Sequence, residues 1–213
     1  EGKGLQFMST AFDLSSLAFL VKDLQLELLK IPSGEITNGP LLLGYARSHR
    51  DLILSTGMST MVEIKEALGL LAFGMAGQSD PSEKACCDFF HTKDAQALLK
   101  NRVTLLHCTS QYPAPEDSIN LRAIETIRTE FGLPVGYSDH SKGIMIPCAA
   151  VALGARVIEK HFTLDKNLSG PDHSASLEPT ELKDMIKSIR VVENALGDGV
   201  KVPHEAEREN RDS

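Results

Sequence analysis

Along this 213-residue chain, short runs of Ile, Val, Leu and Phe alternate with longer segments in which apolar residues return every third or fourth position. The runs predict strands at residues 5–12, 27–33, 51–57, 103–110, 134–140 and 156–164. The periodic segments predict helices at 15–24, 39–50, 60–73, 120–131, 143–154 and 179–197. Two of these carry clear stripes, Leu121, Ile124, Ile127 and Phe131 in one, Leu182, Met185, Ile186 and Ile189 in the other. Strand and helix in strict alternation predict a parallel sheet covered by helices, either doubly wound or closed as a barrel.

The polar positions separate those two folds. Each predicted strand ends in a polar cluster: Ser9 and Thr10; Lys30 with Ser33 and Glu35; Ser55 and Thr56; Thr109 and Ser110; Ser138, Asp139 and His140; and His161. A doubly wound sheet gathers its ligand groups at one switch point, whereas an (β/α)8 barrel recruits from most strand ends. The expected fold is therefore α/β, a (β/α)8 TIM barrel of which residues 1–200 supply about six βα units, with two more expected ahead of Glu1. Residues 74–101 interrupt the rhythm and read as an insertion forming a variable surface loop. Its Cys86, Cys87 and His91 make a poor tetrahedral metal set.

Composition narrows the function classes. A formal charge of -7, with no basic stripe interleaved with aromatics, argues against nucleic acid as a partner. The longest apolar stretches, 68–76 and 144–155, fall short of the ~20 residues of a membrane span, so no membrane partner is expected. Four cysteines without zinc-finger spacing, in a chain with 42% hydrophobic residues, fit a reducing cytoplasm better than a disulfide framework.

Three constellations could carry chemistry. Period-two alternation places Ser138 and His140 on one face, and Val157, Glu159 and His161 likewise, with Lys160 pointing the other way. On adjacent strands the two imidazoles would meet, and spacing leaves two readings open, a divalent-metal pair or two hydrogen-bonded barrel histidines. Lys30 and Ser33, with Ser9, Thr10, Ser55, Thr56, Thr109, Ser110 and Ser138 around the same rim, would suit a small anion, although Ser and Thr at such positions also serve as helix caps. Glu35 and Asp172 could bind a polyol or move a proton, or be turn residues, and Tyr112 could wall a pocket or pack beside its prolines. His49, His91 and His204 read as helix-end or loop residues, and His107 as a core or wall position.

Seven ordered motifs, "FMSTAFD", "LKIPSGEITNGPLL", "ILSTGMS", "LLHCTSQYPAP", "GYSDHS", "AVALGARVIEKHFTLDK" and "GPDHSASLEP", resemble the N-acetylneuraminate (sialic acid) synthase family, including legionaminic and pseudaminic acid synthases. The resemblance implies a TIM barrel that condenses phosphoenolpyruvate with an N-acyl hexosamine, such as N-acetylmannosamine or a bacterial analogue, to give a nonulosonic acid and phosphate. It implies a divalent metal, Mn2+ first, with Mg2+, Co2+ or Zn2+ as alternatives, held by His140 and His161. Thr10, Lys30, Ser33, Ser55, Ser110 and Ser138 would bind phosphoenolpyruvate; Glu35, Tyr112 and Asp172 would face the sugar; and Glu35, His140 and His161 would be the catalytic set. It further implies a homodimer, and makes residues 201–213 a linker towards a C-terminal antifreeze-like domain. Ser110 stands where some relatives have Asn. Another (β/α)8 aldolase, or a 3-deoxy-2-keto acid synthase with a different aldehyde, is the alternative activity.

Overall fold

The computed structural model describes residues 4–210. Its elements are α1 (Leu14–Lys22), β1 (Leu28–Ile31), α2 (Gly39–Arg47), β2 (Asp51–Ser55), α3 (Met61–Met75), α4 (Glu83–Phe90), α5 (Lys93–Arg102), β3 (Val103–Cys108), α6 (Ala123–Phe131), β4 (Val135–Asp139), α7 (Met145–Ala152), β5 (Ile158–Lys160) and α8 (Pro179–Leu196). Apart from a helix in first place and three successive helices between β2 and β3, they follow the expected alternation. The five strands form one parallel sheet in the order β1-β2-β3-β4-β5.

Alternation divides each strand between two faces. Leu29, Ile31, Leu52, Leu54, Val103, Leu105, Val135 and Tyr137 pack outward against helix residues such as Leu41, Leu42, Ile64, Leu68, Leu71 and Ile124 in the main hydrophobic core. The intervening residues, Lys30, Ile53, Ser55, Leu106, Cys108, Ser138 and Glu159, take the other face. That face is concave. In a flat sheet β1 and β5 would lie about 19 Å apart, four steps of about 4.8 Å, yet Lys30 Nζ on β1 stands 3.4 Å from Glu159 Oε2 on β5. Only a sheet curled as in part of a barrel brings them together.

Sequence features fix the helix ends. Asp13 accepts from the Ser16 N–H at the start of α1, Asn38 from the Leu41 N–H at the start of α2, and Thr60 with Glu63 forms a capping box on α3. α6 stops at Gly132, whose φ of 65° is the left-handed cap that glycine tolerates.

Three expectations need correction. The segment 5–12 is not a strand: its ladder is a single parallel bridge, Thr10 to Lys30. Beside it the hydroxyl of buried Tyr45 receives the Ala11 N–H at 2.9 Å and lies 2.8 Å from the Ala11 carbonyl and 3.0 Å from that of Lys30. A side chain satisfies the backbone there in place of a neighbouring strand, and the expected sixth strand shrinks to one residue pair. The segment 74–101 is not a loop but carries α4 and α5, capped by Ser82 and Thr92, with Cys86 and Phe90 buried against α3. On α8, Met185 and Ile189 are buried against α7, but Ile186 lies outside the stripe and stays exposed.

Candidate active site

The concave face and the C-terminal strand ends converge on one cluster. β4 runs directly into His140 and β5 into His161, and their rings lie 5.3 Å apart between centroids in an edge-to-face arrangement. The half-exposed Tyr112 covers both, 4.1 Å from the His140 ring and 5.4 Å from that of His161. Asp172 stands beside His161, with Oδ2 3.7 Å from Nδ1 of that ring. Its loop is pinned at the base, where Thr163 Oγ1 lies 2.8 Å from His173 Nδ1 and Phe162 bridges to Leu177.

A second group lies beside the imidazoles. Ser138 donates to Glu159 at 2.7 Å, and the other Glu159 oxygen faces the buried Lys30 ammonium. The Gly57 N–H donates to Ser33 at 2.9 Å. A Cβ built on Gly57 would stand 2.2 Å from Ser110 Oγ, 2.9 Å from Ser33 Oγ and 3.1 Å from Cys108 Sγ, so three polar side chains crowd a space that glycine alone leaves open. Ser55 Oγ is buried on the same face and is without a hydrogen-bond partner. A row of hydroxyls around one ammonium is the donor pattern that a small anion needs.

Two expected hydroxyls are engaged elsewhere: Thr56 donates to the Leu106 carbonyl at 2.9 Å, and Thr109 to that of Ser118. Glu35 sits in the short turn Ser33–Glu35 and accepts from Asn38 at 2.7 Å. Thr10 lies on the bridge beside Lys30, at the margin of the anion group. His107, as expected, is a wall residue, its Nε2 donating to the Ile119 carbonyl at 2.7 Å. Sequence reading gave no role to Glu159, Cys108 or Gly57. Period-two alternation already placed Glu159 on the inner face, but its link to Lys30 depends on curvature that no local pattern encodes.

The electrostatics follow from this packing. Burial drives His140 down, but contact with Cys108, the Thr109 carbonyl and the Glu159 charge outweighs it, and the net displacement is upward. His161 moves down, through burial first and then the neighbouring His140, against opposition from Asp172 and Glu159. For Cys108 burial acts upward, yet the hydrogen bond and charge of His140, with help from Ser138 and Ser33, leave the thiol below its ordinary value.

Among the described residues no group of three or more His, Cys, Asp or Glu side chains is gathered to hold a metal unaided. The imidazole pair nevertheless fits an open, two-nitrogen donor set. His140 Nδ1 lies 2.8 Å from the Thr109 carbonyl, which can only accept, so Nδ1 carries the proton and Nε2 keeps its lone pair. Two imidazoles leave the remaining positions of a divalent ion to oxygen ligands from outside the protein.

The chain has close counterparts among known proteins. The chain is 48% identical over 206 residues to N,N'-diacetyllegionaminic acid synthase of Campylobacter jejuni, covering 97% of this chain and 55% of that protein. It is 37% identical to human N-acetylneuraminate-9-phosphate synthase, covering 94% of this chain and 48% of that one. It thus spans about half the length of the curated relatives it matches. Among solved structures, the sialic acid synthetase of Leptospira borgpetersenii, solved with citrate, superposes with a TM-score of 0.80 at 36% identity, over 99% of this chain and 65% of that one. A DAHP synthase from Thermotoga maritima, 19% identical with a TM-score of 0.68, shares the fold alone. The family model that matches residues 1–201 is the NeuB family, and the chain belongs to it.

Proposed function

We propose that this chain is part of an enzyme that condenses phosphoenolpyruvate with an N-acyl hexosamine, giving a nonulosonic acid and phosphate. The observation that carries the reading is adjacency: the paired imidazoles of His140 and His161 lie beside an anion pocket made by Lys30, Ser33, Ser110 and Ser138. An electrophile and an anionic nucleophile could be held face to face there, removing much of the entropy cost of a bimolecular reaction. Relatives named legionaminic, pseudaminic and N-acetylneuraminate-9-phosphate synthases support the same chemistry.

In this reading Lys30 binds the substrate's anionic groups, and Ser33, Ser55, Ser110 and Ser138 donate hydrogen bonds to them, with Thr10 at the margin. Ser55, buried without a partner, gains one on binding. Tyr112 and Asp172 face the sugar from the imidazole side, and Glu35 reaches it from the turn after β1. His140 and His161 would hold a divalent metal, Mn2+ first, which when bound supplies Lewis-acid polarisation of the sugar aldehyde. As C3 of phosphoenolpyruvate attacks, positive charge grows at C2, and the Glu159 carboxylate is close enough to the anion pocket to stabilise it before water adds and phosphate leaves.

The same reading makes the five strands and the Thr10 segment part of an (β/α)8 barrel, with residues 201–213 as a linker to a further domain. It makes the whole protein a homodimer, and places it in the cytoplasm, a compartment in which four free thiols persist. Among the described residues, no helix is long and apolar enough to cross a membrane. A Schiff-base aldolase is less well supported, because Lys30 faces a carboxylate rather than the apolar setting that an amine nucleophile needs.

The test is phosphate release from phosphoenolpyruvate with a panel of N-acyl hexosamines and added Mn2+. Release that depends on both sugar and metal is the expected result. Borohydride trapping of pyruvate on Lys30, without such release, would overturn the reading in favour of the aldolase.

A further inference from the structure

Glu159 joins the two ends of the anion pocket. It reaches Lys30 across the curl of the sheet at 3.4 Å and takes the Ser138 hydroxyl at 2.7 Å. Lys30 is almost wholly enclosed, its side chain 8% exposed, and among the described residues its ion-pair partner is Glu159. The Glu159 side chain is 38% exposed, so the carboxylate is reachable from solvent where the ammonium is not. An enclosed ammonium needs a counter-charge, and Glu159 supplies it. The Glu159 oxygens therefore occupy, between one ammonium and one serine hydroxyl, the position that an anionic substrate would take on the same two donors.

We propose that Glu159 is an internal stand-in for the substrate anion: it holds Lys30 and Ser138 in place in the free protein and competes with the incoming anion for Lys30. The proposal rests on the anion-site reading above and adds a residue that limits affinity. Substrate gains Lys30 only by loosening the Glu159 contact, so part of its binding energy goes into releasing a carboxylate. That carboxylate is then left beside the carbon where positive charge develops. Such an arrangement holds down ground-state affinity while favouring the transition state.

Direction separates this role from a merely structural one. If Glu159 only braces the pocket, its loss slackens Lys30 and Ser138 and anion binding weakens. If it competes, neutralising it strengthens anion binding. Glu159→Gln keeps the size of the side chain and an acceptor for Ser138 while removing the charge. By calorimetric titration it is expected to bind phosphoenolpyruvate and inorganic phosphate at least about fivefold more tightly than wild type, the scale of a partly buried ion pair. In turnover KM for phosphoenolpyruvate and kcat should fall together. Glu159→Ala should tighten binding in the same direction, which covers the case where the glutamine variant folds poorly. In a Lys30→Met background the Glu159→Gln tightening should vanish, because the competition runs through Lys30.

Binding by wild type with no tightening in either Glu159 variant overturns the stand-in role alone. Tightening that persists without Lys30 overturns it as well, since the effect would then be a general field. No binding of phosphoenolpyruvate by any of these proteins overturns the anion-site reading from which the proposal starts.

Discussion

Asp139 and Lys160, each the residue immediately before one of the two site imidazoles, form an ion pair at 2.6 Å on the opposite face of the sheet, with side chains 0% and 3% exposed. Asp139 also accepts from the Ser141 N–H and hydroxyl, at 2.8 and 2.6 Å, and Lys160 donates to the Ser141 carbonyl. The pair clamps β4 to β5 one residue short of the point where His140 and His161 diverge from the ladder. Removing one partner leaves a buried charge without compensation, so Asp139→Ala and Lys160→Met are each expected to cost about 3–5 kcal/mol in urea unfolding. Losses under about 1 kcal/mol, the scale of exposed pairs, would show that the clamp is unimportant.

The imidazoles themselves should matter for turnover and little for stability, since both stand at strand ends beside half-exposed Tyr112. His140→Ala and His161→Ala are each expected to lower metal-dependent phosphate release by about 1000-fold or more, several kcal/mol of charge stabilisation. The melting temperature should shift by only a few degrees. Activity retained in either variant with Mn2+ supplied would remove that ring from the site.

Gly57 is a test of the anion pocket that leaves its charges alone. A methyl group there meets Ser110 Oγ at 2.2 Å and Ser33 Oγ at 2.9 Å, both far inside contact distance. The two serines are the parts that can move, so Gly57→Ala should turn their hydroxyls away, with a stability cost of about 1–3 kcal/mol for overpacking. Phosphoenolpyruvate affinity should fall by about tenfold for two displaced hydrogen bonds, while sugar KM changes little. Equal losses for both substrates would place the two serines outside the anion pocket.

How much of this was readable in the sequence depends on how local each determinant is. The parallel order, the helices and the meeting of His140 with His161 follow from periodicity, because each needs only one βα unit to be read correctly. The failures involve partners distant in sequence. Residues 5–12 alternate like a strand, yet Tyr45, a whole strand and helix away, takes over the Ala11 backbone. The pairing of Lys30 with Glu159 appears only when five strands curl. The helices α4 and α5 are a different kind of miss. Ser82 and Thr92 are ordinary caps, each accepting from the N–H three residues on, and Ala95 and Leu99 form a buried stripe. The turn-rich composition of residues 74–82 concealed signals that were present.

His107 gives a prediction independent of catalysis. It lies on β3 beside Tyr137, at 5.9 Å between ring centroids, with Nε2 donating to the Ile119 carbonyl. Burial lowers its pKa, outweighing the Ile119 and Asn120 carbonyls that act the other way. In the unfolded chain the ring titrates near its ordinary value of about 6.5. Between that value and the lower folded one, the unfolded state binds a proton that the folded state refuses. The stabilisation is therefore complete above about pH 6.5 and is lost as pH falls through the folded pKa, with a slope of at most about 1.4 kcal/mol per pH unit. His107→Gln can still donate to Ile119 but cannot titrate. Urea midpoints taken between pH 7.5 and 5.0 should fall more steeply for wild type than for the variant, and the difference between the two slopes isolates this ring from the other histidines. Parallel slopes would mean that His107 takes its proton as readily in the folded wall as in the open chain.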